Sequence, residues 1–455
     1  MRRGLRVRPP DIPARERTAP SRAPSRRIAL NEEPSTVSEP ELYQDSYKTR
    51  DLPAGLRLIE GGVTAAPGFR AGTLYCGIKA DPTPDLAMLV ADEVCQVAAT
   101  FTTSRTASHI IHVDKAHLAA SGYRARAVVV NSGNANCSNG PRGLADAQRM
   151  TELTAQKLGL DPNLVLVSST GIIGRPLPME KVERGIADMQ VADEGGPAFS
   201  RGIMTTDTRP KIIAVEFELG GKTVRLGGST KGVGMIYPNM ATMLCYLTTN
   251  AALDHDFQHE VFRAAVNDSF NMVCVDHDMS TNDSAFLFAN GQAGNAPVRA
   301  GTPEADIFAT ALRYVTRYLA REMARDGEGA TKLMIVNVRG AATDADARKV
   351  ARGITSSAIW QCAVAGGDPN WGRVIAALGA TGADVDHSQL DISLGDVLIV
   401  HEGVATAYDQ AQAQQAMTGP DVYVNLHLHM GEATATAWGC DLTHGYIDEN
   451  ATYTR

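Results

Sequence analysis

Between Lys231 and Leu244 the chain reads Lys-Gly-Val-Gly-Met-Ile-Tyr-Pro-Asn-Met-Ala-Thr-Met-Leu, and Thr242 in this stretch has the surroundings of a nucleophile. A hydroxyl attacks a carbonyl poorly unless a base stands beside it. A threonine whose own α-amine is set free carries that base on the same residue. Ala241 is small and offers the carbonyl that the Thr242 hydroxyl would attack first, shifting the peptide to an ester that water then opens. An α-amine has an ordinary pKa of about 7.7–8.0, so a useful fraction is unprotonated near neutral pH. The apolar run Met243-Leu244-Cys245-Tyr246-Leu247 could bury the new chain end in a strand. Taken alone, the same letters also describe a loop running into a core strand.

Attack on an acyl group produces an oxyanion that preorganised donors must meet. Ser169-Thr170-Gly171 follows a strand-like run and offers backbone N–H groups and a hydroxyl at a turn, although an ordinary turn has the same composition. Lys231 could meet a carboxylate or stabilise developing charge; its plain alternative is a solvated lysine in a Gly-rich loop. Glu328 follows a long helical pattern, in a loop from which a carboxylate could reach a pocket and pair with an ammonium group, or could simply face solvent.

The elements that would carry these residues mix strand and helix. Ala127 to Val130 and Leu164 to Val167 read as buried strands around a helix from Ala145 to Leu158. Lys211 to Glu218 and Thr223 to Leu226 flank Gly220-Gly221 as a hairpin. The longest helical pattern runs from Pro303 to Arg325 and stops at Asp326-Gly327. Leu333 to Val338 and Val397 to Val400 read as strands, Ala345 to Ile354 and Val374 to Leu378 as helices. Val422 to His429 alternates as a half-exposed strand does, with His427 and His429 on one face. The class is α/β (α+β), with two sheets and helices outside.

With 44% hydrophobic and 21% charged residues, the 455-residue chain has the composition of a soluble globular protein with room for two or three domains. A net charge of −8 argues against a nucleic-acid surface, and no run approaches the roughly 18 apolar residues of a membrane span. The seven cysteines are odd in number and lack any Cys-x-x-Cys pair, which suggests a reducing compartment without disulfides or structural zinc. Residues 1–50 open with an Arg- and Pro-rich stretch that cannot bury enough apolar surface to order itself. Its prolines spoil the amphipathic helix of a mitochondrial leader, so a cytoplasmic location is expected ahead of the mitochondrial matrix.

Seven blocks in order carry a resemblance to a known family. They are Asn131-Ser132-Gly133-Asn134-Ala135-Asn136, Ser169-Thr170-Gly171, Met204-Thr205-Thr206-Asp207-Thr208, the Lys231–Leu244 stretch, Ser280-Thr281-Asn282-Asp283, Arg325 to Lys332, and Asp368-Pro369-Asn370-Trp371-Gly372-Arg373. Together they resemble the ornithine acetyltransferases, or bifunctional glutamate N-acetyltransferases. The resemblance implies a layered αββα core with the self-cleaved strand inside, plus a smaller C-terminal α/β region. It implies cleavage between Ala241 and Thr242 into fragments 51–241 (behind the extension) and 242–455 that stay together, as a heterotetramer of two of each. Thr242 would be the nucleophile, Thr170 and Gly171 the oxyanion hole, and Thr205, Lys231, Thr242, Glu328 and Asn450 the substrate contacts, with Thr206 as a neighbour. Acetyl would pass from N-acetylornithine to glutamate in arginine biosynthesis without a bound cofactor or metal, acetyl-CoA being a further candidate donor.

Some positions depart from the family pattern. Arg455 stands where a terminal threonine is usual, with Thr454 one place early, and Val233, His277 and Met279 interrupt family-like segments. Two other readings fit the residues: a self-processing hydrolase or aminopeptidase, and an uncleaved binding protein for an acetylated amino acid. Phosphate-loop, hydrolase-elbow, zinc-protease and calcium-loop patterns each fail at a required position. His427 and His429 lack a third ligand for a metal.

Overall fold

The computed structural model describes residues 51–237 and 243–452. Its strands are β1 (Arg57–Ile59), β2 (Phe69–Leu74), β3 (Leu86–Phe101), β4 (Arg124–Asn134), β5 (Val165–Ile172), β6 (Lys211–Leu219), β7 (Lys222–Lys231), β8 (Leu244–Thr249), β9 (Val273–Cys274) and β10 (Ser284–Ala289). After these come β11 (Leu333–Ala341), β12 (Asp391–Leu394), β13 (Val397–His401), β14 (Val404–Ala405), β15 (Asp421–His427) and β16 (Ala433–Cys440). Nine strands form a sheet in the order β1-β6-β7-β8-β10-β3-β4-β5, with β2 beside β3. The other seven follow the order β14-β13-β12-β15-β11-β16-β9.

The larger sheet supplies both β layers of the core. Strand β3 is 16 residues long; its first half pairs with β2, its second with β10, β4 runs beside it as far as Gln96, and the β3–β4 register is irregular between Val90 and Cys95. Such an irregularity lets a strand bend. Inward side chains from the two ends of the sheet then meet: Val128 and Val130 of β4, Leu166 of β5, Tyr246 of β8 and Phe286 of β10 share one buried cluster. Outside β4 and β5, Val129 and Val167 pack with Ile110, Met150 and Val182 of helices His109–Ser121, Gly140–Leu158 and Met179–Asp188. On the opposite side, Val215, Leu226 and Leu247 pack with Phe262 and Leu319 of helices His255–Asn267 and Pro303–Arg325. The layers are therefore helix, sheet, sheet, helix, and the seven-stranded sheet forms the expected smaller region.

Local sequence explains the elements nearest the site. Gly220 and Gly221, both at positive φ, join β6 to β7 in a two-residue turn, the backbone such a tight hairpin needs. Helix Pro303–Arg325 starts with Thr302 accepting the Ala305 N–H, proline in its first turn, and Glu304 and Asp306 near its positive end. It stops before Gly327, where a Cβ would lie 2.6 Å from Cys440 Sγ.

Three expectations shift. The strand expected to stop at Val167 continues to Ile172, so Ser169, Thr170 and Gly171 lie within β5, not on a turn after it. Strand β15 ends at His427; His429 has φ +54 and hydrogen-bonds Asp391, so the two histidines are not alternate residues of one strand. The helix expected from Ala145 begins at Gly140. Residues 1–50, Ala241, Thr242, Thr454 and Arg455 lie outside the described residues.

Candidate active site

Thr170, Gly171, Thr205, Lys231, Glu328 and Asn450, all the expected site residues that are described, line a single cleft of about 600 Å³ including its mouth. They come from β5, the loop before β6, the end of β7, the loop after helix Pro303–Arg325 and the last turn of helix His444–Asn450. Lys231 is paired with Leu244 across the β7–β8 ladder, so β7 ends and β8 begins beside the cleft that Lys231 lines. Met243 N–H donates to Asp283 Oδ1 at 2.9 Å, fixing the start of β8 against a wholly buried carboxylate.

Lys231 is only 2% exposed, not a solvated loop lysine, and its Nζ donates to Thr170 Oγ1 at 2.9 Å. An ammonium has no lone pair to offer, so Thr170 must accept this bond, and its own hydroxyl proton is left to donate elsewhere. Burial pushes the Lys231 amine below its ordinary pKa, against the pull of Asp207, Glu328 and Asp283. Gly171 has φ +127, and a Cβ there would sit 2.4 Å from the Gly133 carbonyl carbon. Any side chain would push β5 off β4, so a glycine is required where the strand opens into the cleft.

Glu328 is held from two sides. Thr206 Oγ1 donates to its Oε1 at 2.6 Å and Asn450 Nδ2 to its Oε2 at 2.8 Å. Its backbone N–H donates to Val233 O at 2.9 Å. Gly234 lies against the carboxylate, where a Cβ would come within 2.3 Å. The cleft therefore presents a buried cation at one wall and a fixed carboxylate at another, which suits a ligand carrying a carboxylate and an ammonium group.

Sequence reading missed the group that aligns these walls. Lys211 Nζ lies 2.6 Å from both Asp207 Oδ1 and Asp326 Oδ2, with all three side chains essentially buried. Asp207 also accepts from Gly232 N at 2.9 Å and Thr205 N at 3.1 Å, so one carboxylate positions the residues next to Lys231 and Thr206. Burial alone would raise its pKa. Lys211, Lys231 and the hydrogen bonds outweigh that and hold it at about 2. Asn282 makes a similar link, donating to Ala135 O and Ser169 O. Asp207 and Asn282 lie within the Met204–Thr208 and Ser280–Asp283 blocks, and the four-residue Asp207–Lys211 spacing is the signal the sequence carries for the ion pair.

The ArgJ family model matches residues 70–455. The chain is similar to the arginine biosynthesis bifunctional protein ArgJ of Symbiobacterium thermophilum, 45% identical over 399 residues that cover 87% of this chain and 99% of the relative. It is also similar to the protein of that name from Thermus thermophilus, 47% identical over 387 residues covering 85% and 98%. Among solved structures, the arginine biosynthesis bifunctional protein ArgJ of Bacillus halodurans is 38% identical at a TM-score of 0.44, covering 45% of this chain and 96% of that one. The ornithine acetyltransferase complexed with ornithine from Mycobacterium tuberculosis is 35% identical at a TM-score of 0.37, covering 40% and 98%. With a family match across most of its length and relatives aligned nearly end to end, the chain belongs to the ArgJ family.

Proposed function

We propose that this ArgJ-family enzyme is a glutamate N-acetyltransferase of arginine biosynthesis, carrying acetyl from N-acetylornithine to glutamate on Thr242. The observation that carries the mechanism is the Lys231–Thr170 hydrogen bond inside the cleft that also holds Glu328. In this reading Thr242, freed by cleavage after Ala241, gives its hydroxyl proton to its own α-amine and attacks the acetyl carbonyl. The Thr170 hydroxyl and the Gly171 backbone N–H meet the oxyanion. The α-ammonium returns the proton to the leaving nitrogen as ornithine departs. Glutamate then attacks the acetyl ester by the reverse sequence. Thr205, Lys231 and Asn450 orient the bound amino acid, and Glu328 faces its ammonium group.

No resident cofactor takes part, and acetyl-CoA is an additional donor. Fragments 51–241 and 242–455, the first preceded by the extension 1–50, work as two copies of each in the cytoplasm; no described helix is long and apolar enough to cross a membrane. The test is a quenched turnover with N-acetylornithine followed by peptide mapping. One acetyl group on the fragment beginning at Thr242 is expected. Transfer to glutamate without that adduct would replace the covalent route by direct transfer between bound substrates.

A further inference from the structure

Behind the loop that forms one wall of the active-site cleft lies a second cavity, of about 900 Å³ including its mouth. The two share that loop. Met235 lines the first cavity and Tyr237 the second, and Asp276 holds the loop by accepting the N–H groups of Met235 and Ile236, the latter at 2.8 Å. His277, next to Asp276, stacks on Tyr237 with ring centroids 3.9 Å apart and planes 18° from parallel. This pair gives the second cavity a flat aromatic edge.

The remaining chemistry of the cavity is cationic. Lys349 and Arg352 line it, and no described lining residue is a carboxylate, although the chain carries a net charge of −8. Arg352 lines the cavity and forms no ion pair among the described residues, whereas Arg348, one turn before it, is held by Asp268. A guanidinium that lines a cavity without a carboxylate partner can turn its terminal nitrogens to an anion held there. Lys349 is half exposed and only loosely paired, its Nζ 3.5 Å from Asp346 Oδ1. Ser357, also in the lining, begins helix Ala358–Gly366 without a side-chain cap, so the N-terminal N–H groups of that helix lack this acceptor.

We infer that the second cavity binds the phosphorylated nucleotide end of an acyl donor, with phosphate on Arg352, Lys349 and the helix start at Ser357, and the planar base against the Tyr237–His277 pair. This rests on the acetyltransferase reading above and adds to it the place where a nucleotide-bearing donor is gripped. Because the loop through Met235 and Tyr237 borders both cavities, a donor gripped in the second would have its acyl end directed over that loop to the cleft. N-acetylornithine has no group that needs the second cavity.

The probes are ADP, in calorimetric titration of the processed enzyme, and acetyl-CoA, in steady-state assays beside N-acetylornithine. Wild type should bind ADP. Arg352→Gln should weaken that binding about tenfold to a hundredfold, the scale of one lost charge-assisted hydrogen-bonding group. The same variant should raise KM for acetyl-CoA by a similar factor and leave KM for N-acetylornithine within about twofold. Lys349→Gln, at an exposed position that folding tolerates, should move ADP binding in the same direction. Failure of wild type to bind ADP, or binding as tight as wild type by both variants, overturns the site. Lost ADP binding with unchanged acetyl-CoA kinetics overturns the donor assignment and leaves a free nucleotide as ligand. Absence of any transfer from N-acetylornithine in wild type is a separate readout, and would count against the acetyltransferase reading instead.

Discussion

Thr170→Val keeps the shape of the side chain and removes its proton, so it separates geometry from donation. Turnover should fall by about 10²–10³, with KM for N-acetylornithine little changed, because the lost contact matters most once the oxyanion forms. Thr170→Ser should recover most of the rate; failure of that rescue would make the residue a packing element. Glu328→Ala leaves Thr206 and Asn450 without their shared acceptor. It should raise KM for N-acetylornithine more than it lowers kcat, and wild-type kinetics in that variant would remove Glu328 from substrate binding. At position 242, Thr242→Ala should yield a folded but uncut and inactive chain, whereas Thr242→Ser should cut slowly and transfer weakly. Denaturing mass spectrometry of both variants reads this directly.

Between elements, the decisive joint is the Asp207–Lys211–Asp326 group, which ties the loop before β6, β6 itself and the end of helix Pro303–Arg325. The Asp207 carboxyl is depressed to about 2, so its contribution is complete above the unfolded value of 3.8 and is lost as pH falls through the folded one. That interval corresponds to about 2 kcal/mol. Asp207→Asn should therefore be less stable than wild type at pH 7, and the gap between their urea midpoints should narrow below about pH 4. A gap independent of pH would show that the carboxylate's charge is irrelevant. Gly171→Ala should also destabilise the fold, since both φ +127 and the contact with β4 exclude a Cβ; a soluble variant with a normal melting curve would contradict this. Helix Pro303–Arg325 was legible to the residue because its cap, proline and terminal Asp-Gly are local signals. Only Thr223 to Leu226 of β7 carries a strand signal, since Gly227-Gly228-Ser229-Thr230 lacks strand propensity; pairing on both edges, with β6 and β8, overrides that weakness. The same limit hid the burial of Lys231. The ion group was hidden for another reason: Asp326 is 115 residues from Lys211, a separation at which spacing carries no signal.

For the molecule as a whole, the purified protein should give two masses under denaturing conditions, corresponding to residues 1–241 and 242–455, and one particle under native conditions. The seven cysteines are all unpaired, so reducing agent should not alter either result. A single full-length mass from active material would exclude the nucleophile assigned to Thr242. The sheet order β7-β8-β10-β3 gives this pairing a particular character. Strands β8 and β10, which would belong to the second piece, lie between β7 and β3, which would belong to the first, with a ladder on each flank. A cut molecule cannot surrender one piece without unzipping the middle of its own sheet. After cleavage, each half would thus be kept for life by the half it was translated with. If enzyme grown on heavy nitrogen is mixed with enzyme grown on light, no heavy piece should pair with a light one within a single sheet until the mixture is unfolded and refolded.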